Sequence, residues 1–180
     1  MSRLLLLLLC LLPTAAIAGE EGRPPLLIWT AAGPEGGGMD AVLDGVTLAA
    51  AATGAFVDTR VHRIGKKRFR ALYQVFDSNA SNPMGHCGAG REIRLFVYDL
   101  TSPKPIERGR ILVSSCLESV SLASQNTGRP YSESDFSSVI WRGDGFTIEW
   151  WGNGPGGVTS SHYALRNGRF VPTRSSEGNR

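Results

Sequence analysis

The chain has 180 residues, 42% of them hydrophobic, with 19 basic against 16 acidic side chains. That suffices for one domain with a core, and the charge is too balanced to point to nucleic acid or an anionic membrane surface. Sixteen arginines stand against three lysines.

Residues 1–18 fit a secretory signal. Arg3 precedes an apolar run over residues 4–12, and Ala16-Ile17-Ala18 offers small residues at a cleavage site. The run is shorter than the about 20 residues a spanning helix needs, and no second long apolar stretch follows, so no transmembrane segment is expected. Cleavage after Ala18 leaves 18 basic and 16 acidic side chains and two cysteines, Cys87 and Cys116. In an oxidising compartment, such an even pair reads as a disulfide.

Residues 19–38 are rich in glycine and proline and read as a loosely held arm, with strand character only over residues 26–29. Residues 40–53 are ambiguous. Asp40 can cap a short helix that lines up Val42, Leu43, Val46 and Ala50, with Gly54 to end it, although Val46-Thr47-Leu48 also suits a strand. From Ala55 the period becomes two. Val57, Thr59 and Val61 share one face; after the turn at residues 65–67, Phe69, Ala71, Tyr73 and Val75 oppose Arg68, Arg70 and Gln74. This predicts a hairpin with one wet face, on which the arginines and His62 are solvated.

Residues 77–92, D-S-N-A-S-N-P-M-G-H-C-G-A-G-R-E, organise the rest. A link of this length between paired strands greatly exceeds the usual 2–5 residues of a hairpin, and such loops are functional or disordered. Cys87 argues for an ordered one. The alternative, a reactive Cys87 activated by His86, needs a free thiol and two neighbours pointing the same way, which an extended chain does not provide. Beyond the loop, residues 93–98 alternate again. Pro103 and Pro105 break the strand, and residues 110–123 resume it around Cys116. Residues 124–134 are a polar loop. Residues 139–141 and 146–150 form a hairpin, and a last one turns on Asn167-Gly168. Residues 175–180 read as a frayed tail. Some seven short strands at regular turn spacings predict a mainly β chain, a single antiparallel β-sandwich or barrel-like domain over residues 39–174 with one short N-terminal helix.

Within the loop, N-P-M-G-H-C-G-A-G-R-E resembles an N-P-x-G-x-C-G-A-G-x-E stretch of small secreted bacterial proteins that have no assigned activity. The likeness covers about eleven residues and a downstream cysteine. It implies the same loop and bridge in a periplasmic setting and transfers no catalytic residue. At the level of fold there is a looser analogy to periplasmic lysozyme inhibitors and immunity proteins against wall-degrading toxins.

Few residues suggest chemistry. His62, His86 and His162 are far apart without metal-ligand spacing, and Ser160-Ser161-His162 lacks the context of a triad. Asp77, Asn79 and Ser81 open like a calcium loop, but Asn82 and Gly88 stand where glycine and glutamate belong, so no cofactor is expected. The acids Glu92, Glu118, Asp135, Asp144 and Glu149 each suit a solvated strand or turn. Trp150-Trp151 must face both ways on a strand, which leaves one indole to stack on a sugar or a partner. The expected function is therefore binding without catalysis. A pinned loop carrying Asn82, Met84, His86 and Glu92 would meet a protein partner such as a cell-wall lytic enzyme. The rivals are a wall-polysaccharide binding or hydrolysing protein using Trp150, Trp151 and an acid pair, and a structural envelope protein.

Overall fold

The structure, a computed structural model, describes residues 27–31, 45–46, 48–49, 51–152 and 154–177. The expected signal peptide and most of the arm lie outside them. Among the described residues no helix is long and apolar enough to cross a membrane.

The chain is mainly β, in two antiparallel sheets. The first has the order β1 (Leu27–Ala31), β2 (Gly54–Asp58), β4 (Lys67–Asp77), β5 (Arg91–Asp99), β6 (Ile106–Ser115), and β3 (His62–Ile64) also pairs with β4. The second runs β10 (Arg169–Glu177), β9 (Val158–Arg166), β8 (Gly145–Glu149), β7 (Val139–Trp141). They pack face to face as a sandwich, since one buried cluster takes Phe69, Tyr73, Leu95 and Val113 from the first sheet and Phe146, Ile148 and Phe170 from the second. Of the two architectures the sequence allowed, the sandwich is the one found.

Several local expectations need correction. The short strand expected over residues 26–29 forms as β1, but this part of the arm is not loosely held, because β1 pairs with β2 from Leu27 opposite Asp58 to Ala31 opposite Gly54. The tail is not frayed at its start, because Ser175 and Ser176 pair with Ser161 and Ser160. No helix forms in the described part of residues 40–53. Gly45 sits at φ 77°, and the Ala49 N–H donates to Gln74 Oε1 at 2.8 Å instead of to a helical carbonyl. That bond lays Val46 and Leu48 across the outer face of the first sheet, where they bury Ala55, Val57, Leu72, Phe96 and Tyr98. The face expected to be wet is therefore covered around Leu72 and Gln74, which are buried, while Arg60 and Arg68 stay exposed as expected. The strand expected through residues 55–64 is broken in two. Asp58, itself buried, accepts from the Arg60 N–H at 3.0 Å and turns the chain between β2 and β3.

Asn167 and Gly168 both have positive φ, 50° and 77°, as a two-residue hairpin turn with the twist of its strands requires. Pro172 falls on β10, an edge strand where a missing N–H costs no ladder bond.

Candidate functional site

β5 pairs along its whole length with β4, from Asp99 opposite Phe69 to Arg91 opposite Asp77, and the loop of residues 78–90 leaves from the latter end. It is built from successive tight turns: Asn82 N–H to Asn79 O, Gly85 N–H to Asn82 O, Gly88 N–H to Gly85 O and Gly90 N–H to Cys87 O, all between 2.9 and 3.1 Å. Asn79 Nδ2 donates across the loop to the His86 carbonyl at 3.2 Å. The expected Cys87–Cys116 disulfide is present and ties the loop to the residue just after β6.

The glycines serve this loop by lacking a side chain. None of Gly85, Gly88 and Gly90 has positive φ; the residue in the left-handed region is Cys87, at 55°. A Cβ on Gly88 would overlap the Pro83 carbonyl, and one on Gly90 would meet Cys116 Cβ at 2.7 Å. The turn at Cys87 also brings His86 Nε2 to 3.5 Å from Cys87 Sγ, although neighbours in an extended chain would diverge. The sulfur is in the disulfide and carries no thiolate.

The residues expected to bind fall into two groups. Asn82, Met84 and His86 are exposed on the loop, Met84 at 96% and beyond any packing role. Trp151 is 56% exposed. Glu92 and Trp150, by contrast, face inward and are corrected to structural residues. Glu92 accepts from Ser78 Oγ at 2.5 Å and from the N–H groups of Cys116 and Leu117 at 3.1 and 3.3 Å, so it braces the loop base and the disulfide together. Trp150 is buried and donates its indole N–H to Ser161 Oγ at 3.0 Å. Replacing Glu92 with alanine leaves three donors without this acceptor. It should cost about 2 kcal/mol, read as a lower urea midpoint with faster amide exchange in residues 78–90.

Asp77, Asn79 and Ser81 are spent inside the loop. Asp77 pairs with Arg91, and Ser81 Oγ donates to Asn79 Oδ1 at 3.3 Å. Among the described residues no group of three or more His, Cys, Asp or Glu could hold a metal ion.

Beside the loop lies a cleft of about 660 Å³ that the sequence did not disclose. Phe56, Val75, Ile93 and Val120 form an apolar floor, while Arg91, Cys116, Ser119, Gln125 and Glu133 contribute to its walls. The floor comes from four separated segments, so only the fold assembles it. The far wall is a pair of 3-10 turns, Ala123–Asn126 and Ser132–Ser134, laced by Gln125 Nε2 to the Glu133 carbonyl at 2.9 Å and Ser124 Oγ to the Asp135 carbonyl at 2.6 Å. Arg91 and Cys116 belong to both cleft and loop base, which makes the two one continuous surface.

On the second sheet a hydroxyl, an imidazole and a carboxylate are linked: Thr147 Oγ1 to His162 Nδ1 at 3.0 Å, and His162 Nε2 to Asp144 Oδ2 at 3.2 Å. The neighbours of His162 in sequence, Ser160 and Ser161, are not its partners; the register that sets Thr147 opposite His162 decides. Thr147 lies between β7 and β9, so the backbone N–H groups near it go into the ladders and do not form an oxyanion pocket.

No protein-family model matches the chain, and no curated protein or solved structure matches it.

Proposed function

We propose that this is an exported, non-catalytic binding protein whose loop of residues 78–90 and adjoining cleft receive a protein partner, in the manner of an inhibitor or immunity-type protein against a cell-wall lytic enzyme. The observation that carries this reading is a loop bonded to itself, pinned by a disulfide and braced by Glu92, that still holds Met84 almost fully in solvent. A loop ordered before docking loses little conformational entropy on binding. Met84 is an adaptable apolar anchor and His86 a hydrogen-bonding one. Export rests on the pattern in residues 1–18, and intact mass of secreted material should give a chain that starts at Gly19.

The test is clearance of a peptidoglycan suspension by a panel of muramidases and amidases with the purified protein added. Inhibition is expected for at least one enzyme class. The double change Met84→Ala, His86→Ala should weaken it about thirtyfold, near 2 kcal/mol, while stability shifts by under about 1 kcal/mol. Lost stability with unchanged inhibition would make the loop a structural plug.

The exposed indole of Trp151 favours a second reading, a wall-glycan platform. Co-sedimentation with insoluble wall glycan that survives the loop changes and fails in Trp151→Ala would select it.

A further inference from the structure

The outer face of the second sheet carries a second groove, separate from the loop and the cleft. Thr147, His162 and Arg174 stand side by side on β8, β9 and β10, and the next row holds Glu149, Ser160 and Ser176. Arg142 and Asp144, from the turn between β7 and β8, and Arg166, at the end of β9, help to enclose a space of about 540 Å³. Among the described residues, none of Arg142, Arg166 and Arg174 has an ion-pair partner. The carboxylate lining the groove, Asp144, is directed at His162. Glu149 adds a negative charge further along this face, and Arg169, opposite Arg166, a positive one. Cations are in excess.

Placing several guanidinium groups around one groove with fewer carboxylates than cations is unfavourable unless an anion joins them. A guanidinium presents a planar fork of donors that matches oxyanions. One fork saturates the two oxygens of a carboxylate, whereas a phosphate monoester has three terminal oxygens to share among several. His162, held from both sides by Thr147 and Asp144, keeps a fixed orientation in the groove. The hydroxyls of Ser160 and Ser176, opposite each other in register, suit the hydroxyls of a sugar.

We propose that this groove binds a phosphorylated saccharide unit, its phosphate held by Arg142, Arg166 and Arg174 and its sugar lying over Ser160 and Ser176. The site is independent of the loop, so either can fail without the other.

Titration of the purified protein, followed by calorimetry and by amide shifts, would use glucose 1-phosphate, glucose and galacturonate. Glucose 1-phosphate should bind saturably and at least about tenfold more tightly than the other two, and shift the amides of Ser160, His162 and Arg174. Arg142→Gln and Arg174→Gln, both at exposed positions, should each weaken it about fivefold or more, while Arg129→Gln, exposed on the loop between β6 and β7, should not. Vesicles carrying phosphatidylinositol 4-phosphate, whose headgroup bears a phosphate monoester, against vesicles of phosphatidylinositol separate the sources. Sedimentation abolished by Arg174→Gln assigns the phosphate to a lipid headgroup, and binding of the free sugar phosphate without sedimentation assigns it to a soluble or polymer-borne sugar. Equal affinity for galacturonate or glucose, equal weakening by Arg129→Gln, or no saturable binding of glucose 1-phosphate would overturn the proposal.

Discussion

Reduction of the Cys87–Cys116 bond should lower the stability of the protein by about 3.5 kcal/mol, the chain-entropy value for a closed loop of about thirty residues. The cysteines are 29 apart in sequence, and the enclosed segment contains the whole of β5 and β6, the hairpin that closes one end of the first sheet. In the unfolded chain the bond therefore restrains residues that must find one another during folding. In the folded chain it holds Cys87 in a left-handed conformation that a non-glycine residue otherwise avoids. Urea unfolding of oxidised and reduced, alkylated protein measures the difference. A loss of about 1 kcal/mol or less would confine the bridge to restraint of the loop. Two freely alkylated thiols in the native protein would reject the bond outright. If the loop is the anchor for a partner, reduction should also weaken inhibition, because the loop would then have to be ordered on binding.

What could be read before folding was local. The strands that flank the loop, its disulfide and the Asn167-Gly168 turn were legible because each depends on neighbouring residues and on the compartment. The covered outer face was not. Gln74 counts as polar in an alternation, yet in the fold its side chain caps the Ala49 N–H and is buried. Asp58 likewise reads as a solvated residue of a long strand until it captures Arg60 and breaks that strand. At the candidate site, the length of the loop pointed to Met84 and His86, but how the loop is shaped around them was not legible: the glycines give room, and Cys87 takes the unusual φ. The cleft and the arginine groove needed register. Neither Phe56 beside Val120 nor Thr147 beside His162 follows from spacing along the chain.

Replacing Asp58 with alanine should destabilise the protein by about 2–3 kcal/mol, because it removes a buried, charge-assisted acceptor from its donors while the Arg60 guanidinium can still reach solvent. Its carboxylate is almost fully buried. It accepts from the Arg60 N–H at 3.0 Å, from Arg60 Nε and a terminal guanidinium nitrogen at 3.1 Å, and is joined to His62 Nε2 at 2.8 Å. His62 in turn stacks on Trp141, with ring centroids 4.0 Å apart, so one carboxylate fastens the first sheet to the second. Burial by itself raises the Asp58 pKa; the bonds from His62 and Arg60 more than offset it and leave it below the ordinary carboxylate value. Asp99 follows the same pattern: burial raises its pKa, and the bonds from Thr101 with the charges of Lys67 and Arg108 bring it below that value. A lowered folded-state pKa means stability that is present above the unfolded value, near 3.9, and lost as pH falls through the folded one. Urea midpoints should therefore drop below about pH 4, and Asp58→Asn, already weakened at neutral pH, should lose less on acidification than the unaltered protein. An identical acid limb in the two proteins would mean that Asp58 does not drive it. The effect reaches the candidate site through β2: Phe56, two residues before Asp58 on the same strand, floors the cleft and packs its ring 5.3 Å from Phe136. Loss of the Asp58 clamp should thus loosen the cleft floor, and with it partner binding, at a pH where the loop and its disulfide are intact.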